Sequence, residues 1–164
     1  MDKKIEKAKA KRDIKALAKL LLKSKDSSQR LRAAAALGEL GEKESFDFLQ
    51  KAMNDEEDFV ANTAAKSLVM VGGEDAIQSI LYALSRHTID KLGAENALKV
   101  LGEKAFPALI AAYKSTNIRF DLADLMKSLD CVSGAPLIKK DLEEGKFDAY
   151  GTEYLWRFVN KYVS

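Results

Sequence analysis

The nine residues Ala33-Ala34-Ala35-Ala36-Leu37-Gly38-Glu39-Leu40-Gly41 decide the fold, because degraded copies of them recur along the chain at a nearly constant spacing. With Gly41 as the reference, the counterparts are Gly72, Gly102, Asp130 and Asn160, at steps of 31, 30, 28 and 30 residues. Glycine, asparagine and aspartate tolerate the left-handed backbone that ends many helices. The spacing therefore predicts a helix that ends at each of these five positions.

Apolar residues recur at fixed distances before each reference position. Four residues before it lie Leu37, Leu68, Leu98, Met126 and Trp156, and eight before it lie Ala33, Ala64, Ala94, Leu122 and Thr152. These offsets share one face of an α-helix. Another apolar helix of 10–13 residues is predicted between successive copies. Each unit is then a helical hairpin, whose second helix ends at the reference position, and the hairpins must stack on one another.

The repeat resembles a known family. Its Ala-rich helix, the Glu39-Leu40-Gly41 ending and the basic residues Arg30, Lys91 and Arg119 near the start of that helix are similar to the short HEAT-like repeat of the phycobilisome-lyase type. The resemblance implies an all-α fold, a right-handed αα-superhelix (a HEAT-like solenoid) of about five hairpins. It covers roughly residues 13–130 well and 131–164 loosely.

The repeat spacing also divides the chain. Residues 1–12 are expected to form a basic leader or helix extension that is frayed or projects from the fold. The repeat domain is predicted over 13–164, in approximate units 13–41, 43–72, 74–102, 103–130 and 132–163.

Positions that change from copy to copy indicate the surface most suited to a partner. In HEAT-like arrays the second helices line the inner, concave face, and the resemblance implies that partners bind there. On these helices the positions 13, 9, 6 and 2 residues before each reference form a stripe, called here the inner stripe. It predicts partner-binding residues Arg32, Phe59, Thr63, Lys66, Met70, Ile89, Asn96, Val100, Asp121 and Asp124. Its apolar members fit a groove for an amphipathic helix or extended peptide, but packing between adjacent helices explains them equally well.

Charge is distributed unevenly. Residues 1–32 hold twelve Lys or Arg against four Asp or Glu, whereas the whole chain has 27 against 25. A lysine-rich end keeps a terminal repeat soluble. The alternative is an electrostatic contact with nucleic acid, although no aromatic residue interleaves the lysines to stack on bases.

The residue inventory argues against catalysis. The chain has one histidine, His87, predicted in a turn, and one cysteine, Cys131, predicted as a small filler at a helix end. Paired-histidine metal motifs and phosphate-binding glycine loops are missing from the sequence, so no metal or cofactor is expected. The resemblance raises a bilin lyase as a minor enzyme alternative, and a non-catalytic protein-binding scaffold is preferred.

Two further expectations concern the whole chain. No apolar run is long enough to span a membrane, and the single cysteine favours a reducing compartment, so a cytoplasmic location is predicted. The chain is expected to be a monomer or weak dimer. Six of the 13 aromatic residues lie in the last 18 positions: Phe147, Tyr150, Tyr154, Trp156, Phe158 and Tyr162. They are expected to cap the stack, with an exposed interface as the alternative.

Overall fold

The structure is a computed structural model that describes residues 2–113, 119–129 and 134–162. In these ranges the regular structure is helical: α1 (Lys3–Ala10), α2 (Ile14–Lys23), α3 (Ser27–Leu40), α4 (Phe46–Ala52), α5 (Asp58–Gly72), α6 (Ile77–Ser85), α7 (Lys91–Leu98), α8 (Phe106–Tyr113), α9 (Arg119–Ser128), α10 (Gly134–Glu143) and α11 (Ala149–Tyr162). The chain forms two compact units, residues 1–100 and 101–164.

The first unit is an α-solenoid built from three hairpins. The three hairpins are α2–α3, α4–α5 and α6–α7. The second helices form a layer, in which α5 packs against α3 on one side and α7 on the other. Alanine makes this close stacking possible: Ala33, Ala64 and Ala94 are fully buried at equivalent positions.

Helix α1 extends the layer of second helices at the N-terminal end. It packs against α2 and α3, and its Ile5 and Ala8 are only 3% and 7% exposed. The expectation of a frayed or projecting helix is therefore wrong. The helix has few apolar residues in its sequence, but it has only two turns, and the two buried residues are enough to hold it against α2 and α3. The side chain of Asp2 also caps its N-terminus.

The predicted helix ends are right at some positions and wrong at others. Gly41 follows the last residue of α3 and has a φ of 66°, as predicted. Gly102 has the predicted positive φ, 57°, but α7 already ends at Leu98, so the helix end predicted there is wrong. At the second copy the left-handed residue is Gly73 instead of Gly72, whose φ is −101°. Asn160 lies inside α11, which continues to Tyr162, so the prediction of a helix end there is also wrong. Asp130 and Cys131 lie outside the described residues.

The first helices α4, α6 and α8 have 7, 9 and 8 residues, fewer than the predicted 10–13, whereas α10 has 10. Three residues of 3₁₀-helix precede the seven of α4, and four precede the nine of α6. The apolar segment has the predicted length, but its first turn is wound more tightly. Such turns let the chain reverse sharply after each left-handed glycine.

The second unit contains the hairpins α8–α9 and α10–α11, with α11 packed against both α10 and α9. Leu122, Met126, Leu155 and Val159 are among its buried residues. Tyr113 is 1% exposed and meets Phe147 edge to face, with ring centroids 4.9 Å apart. Phe147 thus belongs to the core of this unit, and Trp156 is half-buried. The side chains of Tyr150, Tyr154, Phe158 and Tyr162 lie outside the described part of the structure.

Candidate functional site

The centre of the inner stripe lies on α5. Phe59 and Met70 are 45% and 43% exposed, which is unusual for large apolar side chains on a helix whose other apolar residues are almost entirely buried. Between them along the same face lie the half-buried Thr63, whose hydroxyl donates to the carbonyl of Phe59 at 2.7 Å, and the exposed Lys66. The face is therefore apolar at both ends and polar in the middle.

On α7 the inner stripe differs from the sequence prediction. Ile89 is 3% exposed and precedes the helix, so it packs in the core and cannot contact a partner. The exposed face of α7 instead presents Leu92, which is 61% exposed, and Asn96, which is four residues further on, as neighbours on one helical face are. Val100, 46% exposed, lies in the turn that follows α7.

The error at Ile89 has a local cause. The predicted stripe assumes a continuous helix that ends at Gly102, but α7 ends at Leu98 and the next three residues form turns. Helical spacing does not hold through these turns, so the predicted positions do not all lie on the exposed face of α7. Leu92 lies outside the predicted stripe for this reason. Its neighbour Gly93 is buried, and an added Cβ there would lie 2.0 Å from the Asn62 amide oxygen, a contact that the sequence does not reveal.

At the other end of the layer, Arg32 lies on α3 and is exposed. It lines a shallow groove of about 320 Å³ between α1 and α3, together with Asp2, Ile5, Glu6, Lys9 and Glu39 among others. Lys9 and Glu39 form an ion pair across the groove. The hydrogen bond to Glu39 raises the pKa of Lys9, and the hydrogen bond from Gln29 lowers the pKa of Asp2. This end of the stripe is charged, with both signs present.

The acidic end of the predicted stripe belongs to the second unit. Asp121 and Asp124 lie on α9, three residues apart, and both are half-buried. Their role in partner binding stays a prediction.

One basic residue of the repeat pattern has a structural role. Arg30 is 7% exposed, and its guanidinium donates two hydrogen bonds of 2.8 Å to the carboxylate of Asp55, in the turn before α5. It also donates to the Ser24 carbonyl at 3.1 Å. The Asp55 hydrogen bond raises the pKa of Arg30. The pair joins the first hairpin to the second and leaves Arg30 unable to contact a partner. The side chain of Arg119 lies outside the described residues.

Polar residues with catalytic potential are scattered in the described ranges. His87 is exposed in the turn between α6 and α7, with φ of 56°, as expected for a turn residue. No group of three His, Cys, Asp or Glu side chains among the described residues is placed to hold a metal ion. No helix in those ranges is both long and apolar enough to cross a membrane.

Comparison with known families agrees with this architecture. The family model for HEAT repeats matches residues 14–102, which is more than half of the chain. The chain belongs to the HEAT-repeat family. HEAT repeats generally mediate protein–protein interaction, and the family is typically non-enzymatic. No curated protein matches the chain.

Proposed function

We propose that this HEAT-repeat protein is a non-catalytic scaffold that binds a helix or extended peptide of another protein along the inner stripe of its first unit and the adjoining Leu92 of α7. The observation that carries the proposal is the exposure of four large apolar side chains, Phe59, Met70, Leu92 and Val100, on the two neighbouring helices α5 and α7 and the turn that follows α7. Such residues serve as anchors when a peptide covers them.

The surrounding surface supports a peptide partner. Lys66 and Asn96 lie on the same helices and offer polar contacts at the edge of the apolar positions. Interfaces are commonly built this way, with an apolar centre and a polar rim. A half-exposed anchor retains enough accessible area to gain from burial while remaining tolerable in water.

The proposal predicts which residues control peptide affinity. Peptides would be selected on the wild-type protein from a random displayed library, and their Kd measured for the double variant Phe59→Ala/Leu92→Ala. Truncating two anchors is expected to weaken binding by about tenfold or more, since an anchor contributes roughly 1–2 kcal/mol.

The control is the double variant Tyr82→Ala/Leu137→Ala. These residues are 69% and 47% exposed but lie on α6 and α10, which carry no part of the inner stripe. Its peptide affinity should match that of the wild type. If both double variants bind the selected peptides equally well, the inner stripe is not the binding surface. Melting curves of all three proteins establish that they fold alike.

A further inference from the structure

The N-terminal end of the first unit carries a large excess of unpaired positive charge. Three cations in residues 1–32 are engaged with carboxylates: Lys9 with Glu39, Arg12 with Glu42 and Arg30 with Asp55. Eight exposed lysines of the same segment form no ion pair with any residue that the structure describes: Lys3, Lys4, Lys7, Lys11, Lys15, Lys19, Lys23 and Lys25. These eight are called the lysine face.

The acidic residues nearby do little to offset this charge, because most of them cap helices. Asp2, Asp13 and Asp26 each accept a hydrogen bond of 2.9 Å from a backbone amide in the first turn of α1, α2 and α3 respectively. Capping carboxylates interact chiefly with the positive end of their own helix. Glu6 is the remaining acidic side chain of the segment.

The lysines are arranged in rows. Lys15, Lys19 and Lys23 are spaced by four on α2, on the side away from the buried Leu17 and Leu21. Lys3, Lys7 and Lys11 have the same spacing on and just after α1, which packs against α2. Residues four apart on a helix are about 6 Å apart along its axis. Each of these two helices, which pack against each other, therefore carries a row of three exposed lysines.

We propose that the lysine face binds the phosphate backbone of duplex nucleic acid without reading its sequence. Lysine ammonium groups contact phosphates as point charges and release the counterions that surround the duplex. The lysine face contains no aromatic residue, so stacking on the bases of a single strand has no platform here. A lipid bilayer is disfavoured because Leu22, 37% exposed, is the one exposed leucine or isoleucine of α1 and α2, and a single side chain offers little apolar area for insertion.

The test uses the full chain and a short fluorescent DNA duplex of arbitrary sequence. Anisotropy titrations at several salt concentrations would compare the wild type with Lys7→Gln/Lys15→Gln/Lys19→Gln. The control, Lys43→Gln/Lys51→Gln/Lys104→Gln, removes the same charge from exposed lysines outside the lysine face. At low salt the first variant is expected to bind about tenfold or more weakly than the control. Each lost phosphate contact should also reduce the slope of log K against log salt by about 1.

Two additional probes keep the proposal specific. The unpaired single strand should bind more weakly than the duplex, since its charge density is lower. The affinity of the wild-type protein for vesicles that contain anionic lipid should not exceed its affinity for the duplex at the same salt concentration. Equal affinity of the two triple variants, tighter binding of the single strand, or lysine-dependent binding of vesicles without binding of the duplex would each overturn the proposal. No duplex binding by the wild type at low salt would also overturn it and leave the lysines as a solubilising end.

Discussion

Arg30 shows how a single side chain can join two repeats. Its side chain and that of Asp55 are 9% and 10% exposed, and they meet in a planar, two-bonded arrangement that arginine forms with carboxylates. Removing one member of such a pair leaves the other charge desolvated without compensation. The equivalent residue of the next repeat, Ala61, cannot form this contact, and there the amide of Asn62 donates to Asp90 at 3.2 Å.

Replacing Arg30 by methionine is expected to lower the free energy of unfolding by roughly 3–5 kcal/mol, because Asp55 loses its partner in a nearly buried position. Chemical denaturation measures this directly. The control is Arg157→Met, since Arg157 is 78% exposed and its pair with Glu153 lies within one helix. That change should alter stability by less than about 1 kcal/mol. Similar effects of the two substitutions would contradict the structural role given to Arg30.

Glycines mark the limit of residue-level prediction. Helix α5 ends at Gly72, as the repeat spacing predicted, but the positive φ belongs to Gly73, which makes the turn. An added Cβ on Gly72 would lie 2.4 Å from the Phe46 ring, so Gly72 allows close packing. Gly38 is similar, because its added Cβ would lie 2.9 Å from the Cα of Ser67. Both contacts join residues about 30 positions apart. A sequence reveals which residues can turn, but not which backbones touch.

At the level of elements, helix existence and core faces could be predicted because they follow from periodicity. The alanines at 33, 64 and 94 and the leucines at 37, 68 and 98 are fully buried, as their spacing indicated. The exposed face of the candidate site was harder to predict, since it depends on where each helix stops. On α5, which is helical from 58 to 72, the predicted positions are accessible. On α7, which is helical only from 91 to 98, Ile89 lies before the helix and is buried, so the prediction failed there.

Helix α1 has an acid-sensitive cap. Asp2 accepts a hydrogen bond from the Lys4 amide at 2.9 Å and another from the side chain of Gln29 at 2.6 Å. The Gln29 hydrogen bond is the largest cause of the lowered pKa of Asp2, whose ordinary value is 3.8. Because the folded pKa is below the unfolded one, the cap stabilises α1 fully above about pH 3.8. This stabilisation is lost as the pH falls through the folded pKa.

We therefore expect the helical Cα chemical shifts of Ile5 and Glu6 to decrease as the pH is lowered below 3.8, when followed by NMR. The matched control is Asp2→Asn, which retains a good capping side chain but cannot titrate near this pH. Its shifts in α1 should be less sensitive to acid. If wild type and Asp2→Asn lose the helical shifts in parallel, other carboxylates govern the acid response of this helix.

At the level of the whole molecule, the proposed binding surfaces and the core use different parts of the same repeats. The residues that agree best between copies are buried alanines and leucines, whereas Phe59, Leu92 and the lysine face occupy exposed positions that vary. A solenoid tolerates such variation because each repeat contacts chiefly its neighbours. Both proposed surfaces lie within residues 1–100, which form one compact unit. Partner binding by this unit can therefore be tested without the rest of the chain.

The fragment 1–100 is expected to fold alone, since it retains α1 and three stacked hairpins, and about three repeats are needed to bury a continuous core. Circular dichroism should show a cooperative thermal transition, and the fragment should bind the selected peptides and the DNA duplex as the full chain does. The control fragment 1–57 ends just before α5, the helix that covers both α3 and α4. Without α5, the buried faces of Ala33, Leu37 and Leu49 would be exposed, so this shorter fragment should melt without cooperativity. A gradual transition for 1–100, like that of 1–57, would show that the first unit depends on the remainder of the chain for its stability.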